Sequence, residues 1–362
     1  MYNKVLISLM FLSLFNGCGG SSNGSSTTPP IDDNQPLNPH NEPYYQYLWH
    51  LDSANSSLNS IDPEADIHIQ EAWSVTKGKG VKVAIIDYGF NANHEDIRDN
   101  VIVTHNIATG GSDVSAPEIP TDGTHGSVCA GFIASPVNSK GIVGVAPEAS
   151  LIFIKQDGFS DSNTISAFEY AKEQGAKVIS CSWGTGAVSQ SVAWEIESLY
   201  NAGITVVFAS GNSGIDYDYR YTYDESELEW VIGVGGTGEN NDVTSYSNYG
   251  TNIDILAPSG DTDIGVGLLG INEAIDGDRF DLVNEQYAFG EGTSFSAPIV
   301  VGVVALMYSI NPNLTPKEVR DILITTADKI GDTEYNESGF DITRRRAYGK
   351  INASQAIAKV FN

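Results

Sequence analysis

Residues 81–89 read Val-Lys-Val-Ala-Ile-Ile-Asp-Tyr-Gly, an apolar run that ends in a carboxylate and a glycine. Four apolar residues in a row before Asp87 are typical of a strand that is buried on both faces of a parallel sheet. A carboxylate at such a place is costly to desolvate unless it has a partner. Asp87 is therefore either a structural residue that hydrogen-bonds a loop or a functional residue at the end of a strand.

Short apolar runs of the same kind recur along the chain. They occupy residues 151–154, 178–179, 204–209, 231–234 and 253–257. Between them, apolar residues around Phe168 and Ile196 are spaced as on helices. This alternation predicts an α/β fold in three layers, a parallel sheet with helices on both faces. No internal repeat is visible, and residues 44–362 are predicted to form one domain with its functional residues at the carboxyl ends of the strands.

Two further segments place reactive residue types at the predicted starts of helices. Residues 122–131 read Asp-Gly-Thr-His-Gly-Ser-Val-Cys-Ala-Gly, so His125 precedes small residues that suit a closely packed helix. Residues 290–298 read Gly-Glu-Gly-Thr-Ser-Phe-Ser-Ala-Pro, and the apolar stretch behind them predicts a helix buried almost all round. Pro298 is expected near its first turn. Taken singly, His125 is more often structural, and Ser294 is typical of a helix N-cap.

Together the three segments resemble those of the subtilisin-like serine peptidases, in which the catalytic residues follow one another in the order Asp, His, Ser. Separations of 38 residues from Asp87 to His125 and 169 from His125 to Ser294 fit that family. Other segments resemble its remaining motifs. They are residues 94–97, 141–147, 182–184, 209–214 and 348–353. The resemblance extends from about Ile67 to Val360.

The resemblance implies a subtilisin-like fold and a serine endopeptidase that needs no cofactor for its chemistry. The implied site consists of the triad Asp87, His125 and Ser294, the oxyanion residue Asn212, and the substrate-binding residues Ser182, Trp183, Gly184 and Ser213. The substrate is a polypeptide, which would pair with the backbone of residues 182–184 as an added strand. The alternative is a catalytically inactive surface-binding protein on the same fold.

Some residues depart from the family pattern. Tyr88 stands where Ser or Thr is usual after the catalytic Asp, and kexin-like relatives commonly have Asp there. Kexin-like members, which cleave after basic pairs, carry acidic residues just after the Trp-Gly pair, whereas residues 185–189 here contain none. We therefore expect no dibasic specificity, although Asp216, Asp218 and Asp224 could form an acidic rim.

The N-terminus has the features of an export signal. Lys4 precedes a largely apolar run of 11 residues from Val5 to Phe15, too short to span a bilayer. Gly17 and Cys18 resemble the end of a bacterial lipoprotein signal, in which the Cys becomes lipidated, although Phe15 and Asn16 differ from the usual residues. Residues 1–18 are thus the predicted signal and Cys18 the lipidation site, with ordinary secretion as the alternative. Residues 19–43, rich in Gly, Ser, Thr, Asn and Pro, are predicted to be a flexible tether to an envelope membrane.

Two other expectations concern residues near the predicted domain. Between Cys18 and the first predicted strand there are too few ordered-looking residues for a folded propeptide. Either folding is unassisted, or residues 44–73 are an integral N-terminal extension, which we favour because Tyr45, Tyr47, Leu48 and Trp49 suit packing on the domain. With three cysteines in the chain, no disulfide-rich scaffold is expected, and Cys129 and Cys181 are interpreted as buried thiols rather than as a disulfide.

The composition limits the partners. Among 362 residues, 41% are hydrophobic, and the net charge of -27 argues against binding to nucleic acid or to an anionic membrane surface. We expect a monomer. Structural Ca²⁺ is common in the family that the chain resembles, and the candidate oxygen clusters are Asp261-Thr262-Asp263 and Asp276-Gly277-Asp278.

Overall fold

The computed structural model of the chain describes residues 38–115, 125–262, 265–271, 282–284 and 286–361. Its central sheet has seven strands: β1 (Lys82–Asp87), β2 (Val101–Asn106), β3 (Ser150–Lys155), β4 (Val178–Cys181), β5 (Thr205–Ala209), β6 (Val231–Thr237) and β7 (Ile255–Pro258). They lie in the order β2-β3-β1-β4-β5-β6-β7, and every adjacent pair is parallel. A smaller antiparallel sheet has the order β8-β10-β9, with β8 at Leu268–Ile271, β9 at Leu282–Asn284 and β10 at Tyr287–Gly290.

Helices cover both faces of the central sheet. They are α1 (Gln70–Val75), α2 (His125–Ala134), α3 (Asp161–Glu173), α4 (Gln190–Asn201), α5 (Thr293–Ile310), α6 (Pro316–Thr326) and α7 (Ala353–Val360). Alternate residues of β1 separate the two cores. Val83 and Ile85 join the cluster that contains α2 and α5, whereas Ala84 and Ile86 join the one that contains α3 and α4. The predicted three-layer α/β fold is confirmed.

Helix α5 forms the centre of the larger core. Its 18 residues are long and apolar enough to cross a membrane, but 83% of them are buried inside the protein. It packs against α2 and against five strands of the central sheet, β1, β4, β5, β6 and β7. Helix α5 is therefore a core helix, and it fixes its first turn, which contains Ser294, against the rest of the domain.

The N-terminal part of the described chain packs on the domain, as predicted for the extension. Trp49 is fully buried, and its indole N–H donates to the carbonyl oxygen of Gly267 at 3.0 Å. Order begins earlier than the predicted domain boundary, because the Glu42 carboxylate is buried and accepts the backbone N–H groups of Ser139 and Lys140 at 2.8 and 3.0 Å. Residues 38–43, predicted as the end of the tether, thus belong to the folded unit. The predicted signal, Cys18 and tether residues 19–37 lie outside the described residues.

Candidate active site

Asp87 and His125 meet at the carboxyl edge of the central sheet. Asp87 is the last residue of β1 and is 1% exposed, and His125 is the first residue of α2. One carboxylate oxygen accepts the backbone N–H of Tyr88, and the other lies 2.8 Å from Nδ1 of His125. Burial lowers the pKa of the His125 imidazole, but Asp87 and the neighbouring Cys129 together outweigh burial and hold that pKa well above its usual value. Asp87 is thus placed to orient the imidazole and to stabilise the imidazolium.

Ser294 is the second residue of α5, not its N-cap. The N-cap is Gly292, whose φ of 136° is unfavourable for any residue with a side chain. Strand β10 ends at Gly290, so the chain turns sharply over two residues before the helix begins. At the second position of a helix, the backbone N–H has no acceptor within the helix and can bind an external oxygen.

Pro298 changes the hydrogen bonding of the helix turn that contains Ser294, and it lies later in α5 than predicted. It lies in the second turn of α5, four residues after Ser294, and its missing N–H leaves the Ser294 carbonyl oxygen without a helical donor. Two side chains replace that donor: the Ser182 hydroxyl at 2.8 Å and the Cys129 thiol at 3.4 Å. The Ser294 hydroxyl in turn donates to the Ser182 carbonyl oxygen at 3.2 Å.

His125 and Ser294 lie in the same site without a direct hydrogen bond between their side chains. Among the described residues no hydrogen bond joins the Ser294 hydroxyl to the imidazole. Cys129 contacts both partners, since its sulfur lies 4.0 Å from Nδ1 of His125 and donates to the Ser294 carbonyl oxygen. Catalytic hydrogen bonds are often long without substrate and tighten when it binds. The structure therefore brings the three side chains into one site but forms only the Asp87–His125 contact.

Asn212 is held in one orientation beside this site. It follows β5, and its side-chain oxygen accepts the backbone N–H and the hydroxyl of Thr293 at 2.9 and 2.8 Å. Its amide NH₂ lies on the side of Gly292, because a Cβ at Gly292 would come within 3.2 Å of Nδ2. In the described part of the chain, that NH₂ group has no hydrogen-bond acceptor. It and the N–H of Ser294 are thus two donors available to a developing oxyanion.

Among the predicted substrate-binding residues, Ser182 contacts Ser294 directly through two hydrogen bonds. The Trp183 indole donates to the carbonyl oxygen of Ile86 at 2.9 Å and stacks on Phe159, while Gly184 is exposed. Within the described ranges, the backbone N–H and C=O of Gly184 bond to no other residue, so both are free to pair with a peptide. Ser213 is exposed, and its backbone N–H donates to the buried side chain of Asn248 at 3.0 Å.

The side chain of Asn248 stabilises the loop next to the site. Asn248 also accepts the N–H of Ile215 and donates to the carbonyl oxygen of Ser210, so it fixes the loop that carries Asn212. Nothing in the sequence around Asn248 signals this role.

Cys129 and Cys181 are free and buried, which confirms the interpretation as two thiols.

The acidic residues predicted as a rim do not act as a group. Asp216 and Asp218 pair with Arg344 at 2.8 and 2.5 Å. Asp224 is instead buried, and its carboxylate accepts the backbone N–H of Gly186 at 2.8 Å. The rim is therefore neutralised in part, and the acid nearest to the cleft is an internal hydrogen-bond acceptor.

The acidic clusters suggested for Ca²⁺ fall partly outside the described residues, which exclude Asp263 and residues 276–278. Two other side-chain oxygens in the described residues lack a hydrogen-bond partner. Asp96 is fully buried, and one of its carboxylate oxygens has no hydrogen-bond partner in the described ranges; the same holds for the side-chain oxygen of Asn138. Burial raises the pKa of Asp96 to about 7, although the backbone N–H of Ile142 donates to its other carboxylate oxygen.

Comparisons with known proteins agree with this geometry. A profile of the subtilase family matches residues 78–350. The chain is 34% identical to Subtilisin DY of Bacillus licheniformis over 268 residues, which cover 73% of this chain and 89% of that protein. It is also 34% identical to Subtilisin Savinase of Lederbergia lenta over 270 residues, 72% of this chain and 88% of that protein.

Solved structures show the same fold. A protease from Pseudoalteromonas arctica PAMC 21717 superposes with a TM-score of 0.71 and 26% identity, covering 88% of this chain and 99% of that one. The sequence match, the fold and the residues gathered at the carboxyl ends of β1, β4 and β5 all lead to one family. The chain belongs to the subtilase family and is a serine-type endopeptidase.

Proposed function

We propose that the protein is an exported endopeptidase in which Ser294 attacks the peptide bond, His125 transfers the proton and Asp87 orients His125. The observation that carries the proposal is the 2.8 Å contact between the buried Asp87 carboxylate and Nδ1 of His125. A serine hydroxyl is a poor nucleophile at neutral pH unless a base lies beside it, and this contact leaves Nε2 of the imidazole to act as that base.

The reaction has two stages. His125 takes the Ser294 proton as Oγ bonds to the scissile carbonyl carbon, and the Asn212 amide and the Ser294 N–H donate to the oxyanion. The imidazolium then gives its proton to the leaving amine as the C–N bond breaks, which forms an acyl-enzyme. Water, deprotonated by His125, attacks the acyl carbon and releases the acid and free Ser294. No metal or cofactor takes part in these steps.

The test of this assignment is covalent labelling with a fluorophosphonate probe, which reacts only with an activated serine. We expect the wild type to be labelled, Ser294→Ala not to be labelled, and Asp87→Asn to be labelled much more slowly. A folded wild type that resists labelling and cleaves no peptide would instead favour the inactive surface-binding protein.

We further propose export through residues 1–18, lipidation at Cys18 and tethering of a monomeric domain to an envelope membrane by residues 19–37. The apolar run after Lys4 and the small residue before Cys18 support this proposal. Radiolabelled palmitate should be incorporated into the wild type and not into Cys18→Ser. Incorporation into neither, with the protein recovered in the medium, would indicate ordinary secretion.

The proposed substrates are polypeptides without a preference for paired basic residues, because residues 185–189 carry no acid. Peptide-library cleavage tests this, and rapid cleavage after Lys-Arg with apolar sites ignored would contradict it. Any structural Ca²⁺ is proposed to bind at Asp96 and Asn138. In that case Ca²⁺ raises the melting temperature of the wild type but not that of Asp96→Asn.

A further inference from the structure

Two buried carboxylates hold the backbone of the cleft segment, which we define as residues 182–186. One oxygen of Glu225 accepts the backbone N–H of Thr185 at 2.9 Å, and its other oxygen accepts the Thr185 hydroxyl at 2.7 Å. Asp224 accepts the next backbone N–H, that of Gly186, at 2.8 Å. Glu225 is 1% exposed and Asp224 is 4% exposed, whereas Thr185 lies at the surface.

Asp224 also sets how closely the cleft segment approaches the domain. A Cβ at Gly184 would lie 2.6 Å from the Asp224 carboxylate, so only glycine permits this approach. The two carboxylates are themselves fixed: Asp224 is the N-cap of the turn Glu225–Glu227 and accepts the Ser226 hydroxyl, and Glu227 accepts the N–H of Asp224. The cleft segment therefore rests on a support that cannot shift without breaking several hydrogen bonds.

Burying the Asp224 and Glu225 carboxylates costs desolvation free energy, which carboxylates at the surface do not lose. The N–H and O–H donors of the cleft segment compensate for that loss. Hydrogen bonds to a charged acceptor are shorter and stronger than those between neutral groups, so they fix the position of a backbone more firmly. The bonds are concentrated at Thr185 and Gly186, immediately after Gly184, whose own backbone groups remain free for a substrate.

We infer that Glu225 and Asp224 are positioning residues that hold the cleft segment so that Gly184 can pair with substrate residues preceding the cleaved bond. They act through Thr185 and Gly186 and do not touch the substrate. The inference rests on the proposed peptidase function and adds a determinant of extended-substrate binding to it. Loss of the support should weaken binding of long substrates and leave the reaction at Ser294 intact.

The experiment compares two substrates on the full chain: an acylated tetrapeptide anilide, which can pair along the cleft segment, and a single-residue ester, which cannot. The variants are Glu225→Ala, Glu225→Gln and Thr185→Val. The matched controls are Thr185→Ser, which keeps the hydroxyl, and Glu229→Ala, which removes an exposed acid four positions after Glu225. The fluorophosphonate labelling rate monitors the triad in each variant.

For Glu225→Ala we expect kcat/KM for the tetrapeptide to fall about 30-fold, mostly through KM, as follows from losing hydrogen bonds to a charged group. For the same variant, kcat/KM for the ester and the rate of fluorophosphonate labelling should change by less than about threefold. Glu225→Gln keeps one acceptor, so its kcat/KM for the tetrapeptide should lie between those of Glu225→Ala and the wild type. Thr185→Val should lower kcat/KM for the tetrapeptide about fivefold, the typical effect of one hydrogen bond. Thr185→Ser and Glu229→Ala should resemble the wild type.

If Glu225→Ala lowered kcat/KM equally for the tetrapeptide and the ester, or for neither, the inference would be overturned. If Glu225→Ala does not fold, the surface pair Thr185→Val and Thr185→Ser decides by the same comparison, and equal tetrapeptide values for the two would reject the positioning role. A wild type that is neither labelled nor active would overturn the proposed function itself, which is a distinct result.

Discussion

The hydroxyl of Ser182 donates to the carbonyl oxygen of Ser294 at 2.8 Å, and the hydroxyl of Ser294 donates back to the carbonyl oxygen of Ser182 at 3.2 Å. The first of these bonds exists because Pro298 cannot supply the N–H that would otherwise reach the Ser294 carbonyl. These two bonds join the first turn of α5 to the residue that follows β4.

Removal of the Ser182 hydroxyl should therefore affect the nucleophile directly. We expect Ser182→Ala to lower kcat about fivefold, since one hydrogen bond of roughly 1 kcal/mol holds the Ser294 turn in place. Steady-state kinetics on a peptide anilide measures this, with Ser338→Ala, an exposed serine, as the control. A kcat equal to that of the wild type would show that Cys129 alone holds the turn.

The amide of Asn212 should matter only when negative charge develops on the substrate. We expect Asn212→Ala to lower kcat by about 10²–10³, the loss that removal of such a donor causes in subtilisin, with KM nearly unchanged. Asn240→Ala, at a distant surface loop, is the control. A large rise in KM with kcat preserved would mean that Asn212 binds the substrate in its ground state.

The pH profile should report the coupling of Asp87 to His125. Because the carboxylate raises the pKa of the imidazole, kcat/KM should be low where His125 is protonated and should rise with pH through a value above the ordinary histidine pKa. In Asp87→Asn the residual activity should rise at a lower pH, since the charge that stabilised the imidazolium is gone. An unchanged acid limb would contradict this assignment.

His68 should stabilise the fold in a pH-dependent way. Its imidazole lies 3.0 Å from Asp66 and 3.3 Å from Asp328, and the hydrogen bond to Asp328, followed by the one to Asp66, raises its pKa to about 10. A raised folded pKa gives stability that is complete below the unfolded value of about 6.5 and is lost as pH rises through about 10. The melting temperature of the wild type should thus exceed that of His68→Gln at pH 6, and the difference should shrink by pH 10.5.

Trp49 should contribute to the fold through both packing and its indole N–H. Trp49→Ala should lower the free energy of unfolding by about 3–5 kcal/mol, as is typical for a fully buried aromatic residue. Trp49→Phe should lose less, because it keeps most of the buried area and gives up chiefly the bond to Gly267. Chemical denaturation measures both, and equal values for the two variants would contradict the assigned hydrogen bond.

Strands that are buried on both faces were predictable from the sequence. The runs at 151–154 and 231–234 lie within β3 and β6, because a short run of apolar residues without polar interruption is typical of a buried strand. Strand β2 was missed, since it is an edge strand with partly exposed residues such as Thr104 and His105. The short strands of the small sheet carry no period long enough to detect.

Most residues of the site could be predicted from the sequence only through the family resemblance, not from the residues taken singly. Asp87 and His125 could each have been structural when considered alone. The ion pairs of Arg344 with Asp216 and Asp218 span more than 120 residues of chain, so no local pattern reveals them. The same is true of Glu225 under Thr185 and of Asn248 beside Ser213, because these contacts exist only after the sheet has formed.

The two ends of the described chain hold each other across almost its full length. The backbone N–H of Ala353 donates to the carbonyl oxygen of Ile67 at 2.8 Å, and the Lys350 ammonium and the Ser354 hydroxyl reach the carbonyl oxygens of Glu64 and His68. During synthesis the N-terminal partners emerge some 286 residues before the C-terminal ones. Contacts so distant along the chain form late. The domain can thus reach its final stability only after residues 350–354 have been synthesised, so a chain that still lacks this segment is missing contacts on both sides of the fold.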